Sequence, residues 1–68
     1  MTYVAQQLAS PLNSTTSDAL RWAAWDYMAE GLPRSAFIAD CAAAGVRANS
    51  AGNRWNEAKK NWQFAFED

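Results

Sequence analysis

The chain has no histidine and only one cysteine, and this combination restricts how a domain of 68 residues can be stabilised. A folded chain of this length buries only about 60% of the surface that its unfolded form exposes, so small domains often add disulfides, metals or a partner chain. One cysteine forms no disulfide within the chain, and a structural zinc site needs about four thiolate or imidazole ligands. We therefore expect no metal and no cofactor, and stability must come from apolar burial or from a second copy.

Aromatic side chains supply much of the required apolar surface. Half of the residues are hydrophobic, and they include four Trp, three Phe and two Tyr. β-Branched residues are scarce and do not alternate with polar ones, whereas alanine, the best helix former, is abundant. The sequence therefore predicts a single all-α domain over residues 1–68, built as a small bundle of about four helices.

Several classes of protein are not expected from this sequence. No apolar run approaches the roughly 20 residues that cross a bilayer, and the N-terminal segment lacks the basic start and long apolar stretch of a secretion signal. The unpaired cysteine fits the reducing cytoplasm. An enzyme is also not expected, because the acidic residues do not cluster, the glycines are scattered, and no Ser or Cys has an imidazole partner.

Capping residues and glycines divide the chain into helical segments. We predict helices over about 2–9, 17–30 and 33–44, and from residue 49 or 50 to about 66. Thr15 and Asp18 have the spacing of a capping box, although Thr16 or Ser17 could also cap that helix. Gly31 and Gly45 are placed to end the second and third helices.

Apolar residues at helical spacing predict the core. In the first three helices the predicted core positions are Val4, Leu8, Leu20, Ala23, Ala24, Tyr27, Met28, Phe37, Ile38, Cys41 and Ala42. We interpret Cys41 as a small core residue and not as a nucleophile. The last helix carries one apolar seam with separations of 4, 3, 4 and 3, formed by Ala51, Trp55, Ala58, Trp62 and Ala65.

The net charge of −1 conceals a local excess of positive charge. Residues 41–60 hold four basic residues and one acidic residue, while the segments on both sides are acidic. Such asymmetry indicates an anionic partner for this segment, although a solvated helix face would explain it equally well. A polar stripe runs along the same helix as the apolar seam but on another face, and it consists of Asn49, Asn53, Asn56, Lys60 and Gln63.

Residues 33–60 resemble a helix-turn-helix DNA-binding unit. In that family a small residue in the first helix precedes a turn glycine by four positions, and a hydrophobic residue follows the glycine; Cys41, Gly45 and Val46 have this arrangement. The family also has a small apolar residue about six positions after the glycine and a large one about four positions further on, and these two hold the second helix against the first. Ala51 and Trp55 match these positions.

The resemblance implies a small DNA-binding regulator of the phage or plasmid type, with the helix-turn-helix at about 33–66. It would act as a homodimer on double-stranded DNA and read the major groove with the helix that starts near residue 49. The base-facing positions would be Arg47, Asn49, Gly52, Asn53 and Asn56. The phosphate contacts would come from Arg34, Arg54, Lys59 and Lys60. Gly52 lowers helix stability by up to about 1 kcal/mol relative to Ala but leaves room for close approach of a phosphate backbone.

Trp22 and Trp25 suggest a different function. They lie three positions apart on the second helix, and both cannot be fully buried together with Leu20 and Tyr27 in so small a domain. An exposed tryptophan pair predicts a protein interface, because Trp is enriched at binding hot spots; partial burial under the N-terminal segment is the alternative. The second hypothesis is therefore a phage-encoded inhibitor or adaptor that binds a host protein through these side chains.

Overall fold

Four α-helices form most of the backbone in a computed structural model that describes the backbone of residues 1–66 and the side chains of residues 1–61. The helices are α1 (Tyr3–Ala9), α2 (Thr16–Ala29), α3 (Arg34–Ala43) and α4 (Ala48–Phe66). No strand occurs over residues 1–66, so the prediction of a small all-α bundle is confirmed. Within the described part of the chain, no helix combines the length and hydrophobicity that a membrane crossing requires. The predicted roles of Trp62, Gln63 and Ala65 lie outside the described side chains.

Threonine hydroxyls cap the first two helices. The Oγ1 atoms of Thr2 and Thr15 accept hydrogen bonds from the N–H groups of Ala5 (3.0 Å) and Asp18 (3.1 Å), which satisfies one free donor at each helix start. Thr15 is therefore the cap of α2 among the three candidates. The Asp18 carboxylate accepts from Arg21 Nη1 (2.8 Å) instead of turning back to the cap residue, so an ion pair replaces the second half of the predicted capping box.

Glycines end α2 and α3, as the sequence predicts. Gly31 and Gly45 have φ angles of +73° and +88°, a left-handed conformation that side chains with a Cβ rarely adopt. At the end of α3, the Gly45 N–H donates to the Ala42 carbonyl (3.0 Å) and the Val46 N–H donates to the Cys41 carbonyl (2.8 Å). These two bonds define a Schellman motif, which satisfies carbonyls that the helix end would otherwise leave free.

The core lies between α2 and the other three helices, all of which contact it. The buried apolar residues are Val4, Ala19, Leu20, Ala23, Ala24, Tyr27, Phe37, Cys41, Ala51, Trp55 and Ala58. The described part of the predicted α4 seam is therefore confirmed. Burying a large apolar side chain contributes about 1.5–3 kcal/mol, so this cluster supplies the main stabilising free energy.

A row of four aromatic rings connects all four helices. Tyr3 of α1 lies 5.5 Å from Tyr27 of α2, which lies 5.5 Å from Phe37 of α3, which lies 5.4 Å from Trp55 of α4, measured between ring centroids. The first two pairs are edge-to-face, a geometry that contributes about 0.5–1.5 kcal/mol beyond area burial. The aromatic residues that the composition singled out therefore join the helices to one another.

The core accommodates two polar groups. The buried Tyr27 hydroxyl donates a hydrogen bond to the Asp40 carboxylate, which links α2 to α3. Burial and this hydrogen bond both raise the pKa of Tyr27, so the phenol stays neutral. Cys41 is fully buried, and burial raises the pKa of its thiol to about 11. The prediction that Cys41 packs in the core is confirmed.

Several predicted core positions lie nearer the surface. Ala42 and Leu8 are exposed, and Met28 and Ile38 are only partly buried. Ala42 follows Cys41 directly, and successive helix residues are rotated by about 100°, so it turns outward when Cys41 points into the core. Leu8 lies in the last turn of the short α1, beside the polar linker.

Residues 44–47 connect α3 to α4. The Ala51 N–H donates to the Arg47 carbonyl (2.9 Å), which makes Arg47 the last residue before α4. The predicted caps, Asn49 and Ser50, are therefore wrong by two or three positions, and both lie within the first turn of the helix. The reason is that the Schellman turn ends at residue 46, and one further residue is enough to begin a new helix.

Candidate nucleic-acid interface

The solvent face of α4 carries the polar stripe that the sequence predicts. Asn49, Asn53, Asn56 and Lys60 are all exposed, and they follow each other at separations of three or four residues. The opposite face of the helix is buried through Ala51, Trp55 and Ala58. Because the core fixes the rotation of α4 about its axis, the asparagines point outward as one row and offer both amide donors and carbonyl acceptors.

Cations surround this row of asparagines. Arg47 lies directly before α4, and Lys59 and Lys60 lie further along the helix. Arg34 begins α3, and its guanidinium lies against Gly52 of α4. All four of these cations are exposed, and none forms an ion pair with a carboxylate among the side chains of residues 1–61.

Arg54 has a different environment from the other predicted phosphate contacts. Its Nη2 lies 3.1 Å from Glu57, its side chain is only 23% exposed, and its Nε is buried without a hydrogen-bond partner. Glu57 also accepts a hydrogen bond from Arg21 Nε (2.8 Å), and Arg21 in turn pairs with Asp18. The hydrogen bond from Arg21 lowers the pKa of Glu57 below its usual range, and the positive charge of Arg54 lowers it further. Arg54 is thus part of an ion-pair network between α2 and α4.

A shallow groove brings three of the predicted site residues together. It runs between the start of α2 and the start of α4, and Arg47, Asn53 and Arg54 line one of its sides. Thr16 and Ser17 of α2 line the other side. Two of the predicted base-facing residues and one predicted phosphate contact therefore border the same polar depression.

Most of the described carboxylates are occupied within the molecule. Asp26 accepts a hydrogen bond from Gln7 Nε2 (2.9 Å), and Asp40 accepts the Tyr27 hydroxyl. Glu57 is the only acidic residue in the described side chains of α4, and it pairs with two arginines. The row of asparagines consequently has no free carboxylate beside it on its own helix in that range.

The predicted tryptophan pair separates into one exposed and one partly buried side chain. Trp22 is 52% exposed, and its ring meets that of Trp25 edge-to-face at 5.1 Å. The Trp25 indole N–H donates to the Ala58 carbonyl of α4 (2.8 Å), so this ring forms part of the α2–α4 contact. The Trp25 N–H needs a partner when buried, and α4 provides one. Trp22 is thus the more exposed ring of the pair, and a protein interface at these rings stays a prediction.

Trp22 borders the N-terminal segment. It lines a shallow groove with Gln6, Gln7 and Leu12, and Leu12 is 92% exposed. The N-terminal segment thus lies beside Trp22 without covering it. Trp22 and Leu12 form a small apolar surface, remote in sequence from the row of asparagines on α4.

Sequence reasoning missed two features of this site. The first is the role of Glu57, although its i,i+3 spacing from Arg54 and the same spacing of Asp18 and Arg21 are signals for ion pairs. The second is the contact between Arg34 and Gly52, which joins residues 18 positions apart and has no local signal. The fold and this helix face define a small all-α domain with a polar, cation-flanked surface. Comparison with protein-family models, with curated proteins and with solved structures finds no match.

Proposed function

We propose that this chain binds double-stranded DNA in the cytoplasm and acts as a small transcriptional regulator of the phage or plasmid type. The observation that carries the proposal is the exposed row of asparagines on α4, which is flanked by cations that have no carboxylate partner among the described side chains. Asparagine is an ordinary helix former at best, so three of them on one exposed face favour recognition over helix stability. The resemblance of residues 33–60 to a helix-turn-helix supports the same function.

The proposed mechanism divides the site into two kinds of contact. Arg47, Asn49, Asn53 and Asn56 contact base edges in the major groove, since Asn pairs bidentately with adenine and Arg with guanine. Arg34, Lys59 and Lys60 contact phosphates, which provide affinity without sequence information. Arg54 adds to the phosphate contacts only where the DNA competes with Glu57 for its guanidinium.

A binding titration with a labelled random-sequence duplex across a salt series tests the proposal. We expect affinity to fall steeply as salt rises, because each phosphate contact releases counterions. Absence of binding at low salt would refute DNA recognition.

Two substitutions on the exposed face of α4 separate the two kinds of contact. Asn53→Ala should cost about 1–3 kcal/mol on a selected site and little on random DNA, whereas Lys60→Ala should weaken both and reduce the salt slope by about one unit. Asn61→Ala is the matched control, because Asn61 is exposed on α4 but lies outside the row of asparagines. Equal effects of the Asn53 and Asn61 substitutions on a selected site would contradict base reading by Asn53.

We also propose that the regulator binds DNA as a homodimer. Helix-turn-helix proteins commonly pair two copies so that two recognition helices reach half-sites one helical turn apart. Analytical ultracentrifugation of the complex with a selected site should give two chains per duplex. A single chain per duplex at saturation would contradict this arrangement.

The second candidate function is binding to a host protein, and the exposure of Trp22 favours it. In that case Trp22→Ala should abolish capture of the partner from a nuclease-treated lysate, while Asn53→Ala and Lys60→Ala should have little effect. Ser35→Ala is a suitable control, since Ser35 is exposed on α3 and lies outside the groove that Trp22 lines. Capture that survives nuclease treatment, together with no DNA binding at low salt, would decide for this function.

A further inference from the structure

The backbone conformation at Gly52 does not require a glycine. Gly52 lies in the first two turns of α4, and its φ angle is not in the left-handed region that Gly31 and Gly45 occupy. A glycine inside a helix lowers stability relative to alanine. Its position therefore needs an explanation other than backbone conformation.

The space beside Gly52 is filled by the guanidinium of Arg34. A Cβ at Gly52 would lie 2.5 Å from Arg34 Nη2 and 3.6 Å from Arg34 Cζ. The first distance is shorter than real Cβ contacts, so any larger residue would force the guanidinium to move. The space that the sequence suggests for a phosphate backbone is thus already occupied by a side chain from α3.

This contact places Arg34 within the candidate interface. Gly52 follows Asn49 by three positions and precedes Asn56 by four, and residues at these spacings are neighbours on a helix surface. The guanidinium over Gly52 therefore lies beside two exposed asparagines. It forms no ion pair with a described carboxylate, so its donors can face an external anion.

We propose that Gly52 is a positioning residue, which allows Arg34 to lie against α4 and to contact a DNA phosphate next to the row of asparagines. This inference rests on the proposed function. A methyl group at position 52 would displace the flexible end of the Arg34 side chain and not the backbone. Its effect should therefore fall on binding and not on folding.

The substitution Gly52→Ala tests this with two results of opposite sign. The melting temperature should rise by about 2–8 °C, because alanine is the better helix former. Affinity for a labelled random-sequence duplex at low salt should fall about 10-fold, and the salt slope should decrease by about 0.9, as for one lost phosphate contact. A glycine without a role in binding would give the first result without the second, and a glycine needed for packing would lower the melting temperature.

Arg34→Gln is the companion variant. It should lose the same affinity, and the double variant should lose no more than either single one, because both substitutions remove one contact. Asn61→Ala should also raise helix propensity in α4 but leave affinity and slope unchanged. In the free protein, the NMR signal of the Arg34 Nε–H group should shift in Gly52→Ala and stay in place in Asn61→Ala.

Each outcome has a definite meaning. The inference would be overturned, with DNA binding intact, if Gly52→Ala bound the duplex with the affinity and salt slope of the parent. It would also be overturned if the affinity losses of the two single variants added fully in the double variant. A parent chain that does not bind the duplex would overturn the proposed function and this inference with it. An unshifted Arg34 Nε–H signal would show that the guanidinium does not lie against Gly52.

Discussion

Replacing Trp55 with alanine should come close to unfolding the domain. Trp55 is 7% exposed, its ring lies 5.4 Å from that of Phe37, and it lies between Ala51 and Ala58 on the buried face of α4. Truncating a buried Trp to Ala costs about 3–5 kcal/mol, because transfer free energy is lost and a cavity remains. At about 0.05–0.15 kcal/mol per residue, a chain of this length has a total stability of about 3–10 kcal/mol. The expected loss of stability is therefore comparable with the total stability of the domain.

Urea unfolding followed by far-ultraviolet circular dichroism measures this loss. Trp55→Phe should retain part of the ring contact and lose about 1–2 kcal/mol, which keeps the test informative if Trp55→Ala does not fold. Lys60→Ala is the matched control on the exposed face of the same helix, and we expect it to stay within about 0.5 kcal/mol of the parent. If Trp55→Ala has the same midpoint urea concentration for unfolding as the parent, the packing of α4 described above is wrong.

Two other predictions follow from groups whose pKa is shifted. Glu57→Gln should lower the free energy of unfolding near neutral pH but not in acid. The hydrogen bond from Arg21 lowers the pKa of the Glu57 carboxyl in the folded state. The stabilisation by the ionised carboxylate is therefore present above the pKa of the unfolded state and is lost as pH falls through the pKa of the folded state. Thermal melts at both pH values measure this, and equal differences would contradict it. Cys41 should react with a disulfide reagent far more slowly in the native protein than in strong denaturant, because burial raises its pKa to about 11. Equal rates would contradict its burial.

The helices were predictable because their ends are encoded locally. Thr15 caps α2 through a bond to a residue three positions away, and Gly31 and Gly45 adopt a conformation that other residues avoid. The start of α4 was less predictable, since Asn49 and Ser50 have good cap chemistry but the preceding turn is short enough for the helix to begin before them. The alternatives differ little in energy at such a boundary, and tertiary geometry selects one.

The candidate site was predictable only as far as one helix determines it. Helical periodicity places the asparagines on one face of α4, and the structure confirms that they are exposed. Trp25 of α2 contacts the Ala58 carbonyl, and Arg34 of α3 contacts Gly52. Both of these partners lie on α4. No pattern along the chain signals such contacts, because they arise from the crossing of helices that are distant in sequence.

The pairing of charges leads to a quantitative expectation for DNA binding. Glu57 holds Arg21 and Arg54, whereas Arg34, Arg47, Lys59 and Lys60 have no carboxylate partner among the described side chains. If the four unpaired cations each neutralise one phosphate, the logarithm of affinity should fall with the logarithm of salt concentration with a slope of about −3.6 for each bound chain. If the DNA also takes Arg54 from Glu57, the slope should approach about −4.5. Measuring the parent beside Glu57→Gln separates these cases, since the variant frees Arg54 while Arg21 keeps its ion pair with Asp18. A steeper slope in the variant would show that Glu57 restrains Arg54, and equal slopes near the lower value would contradict that role.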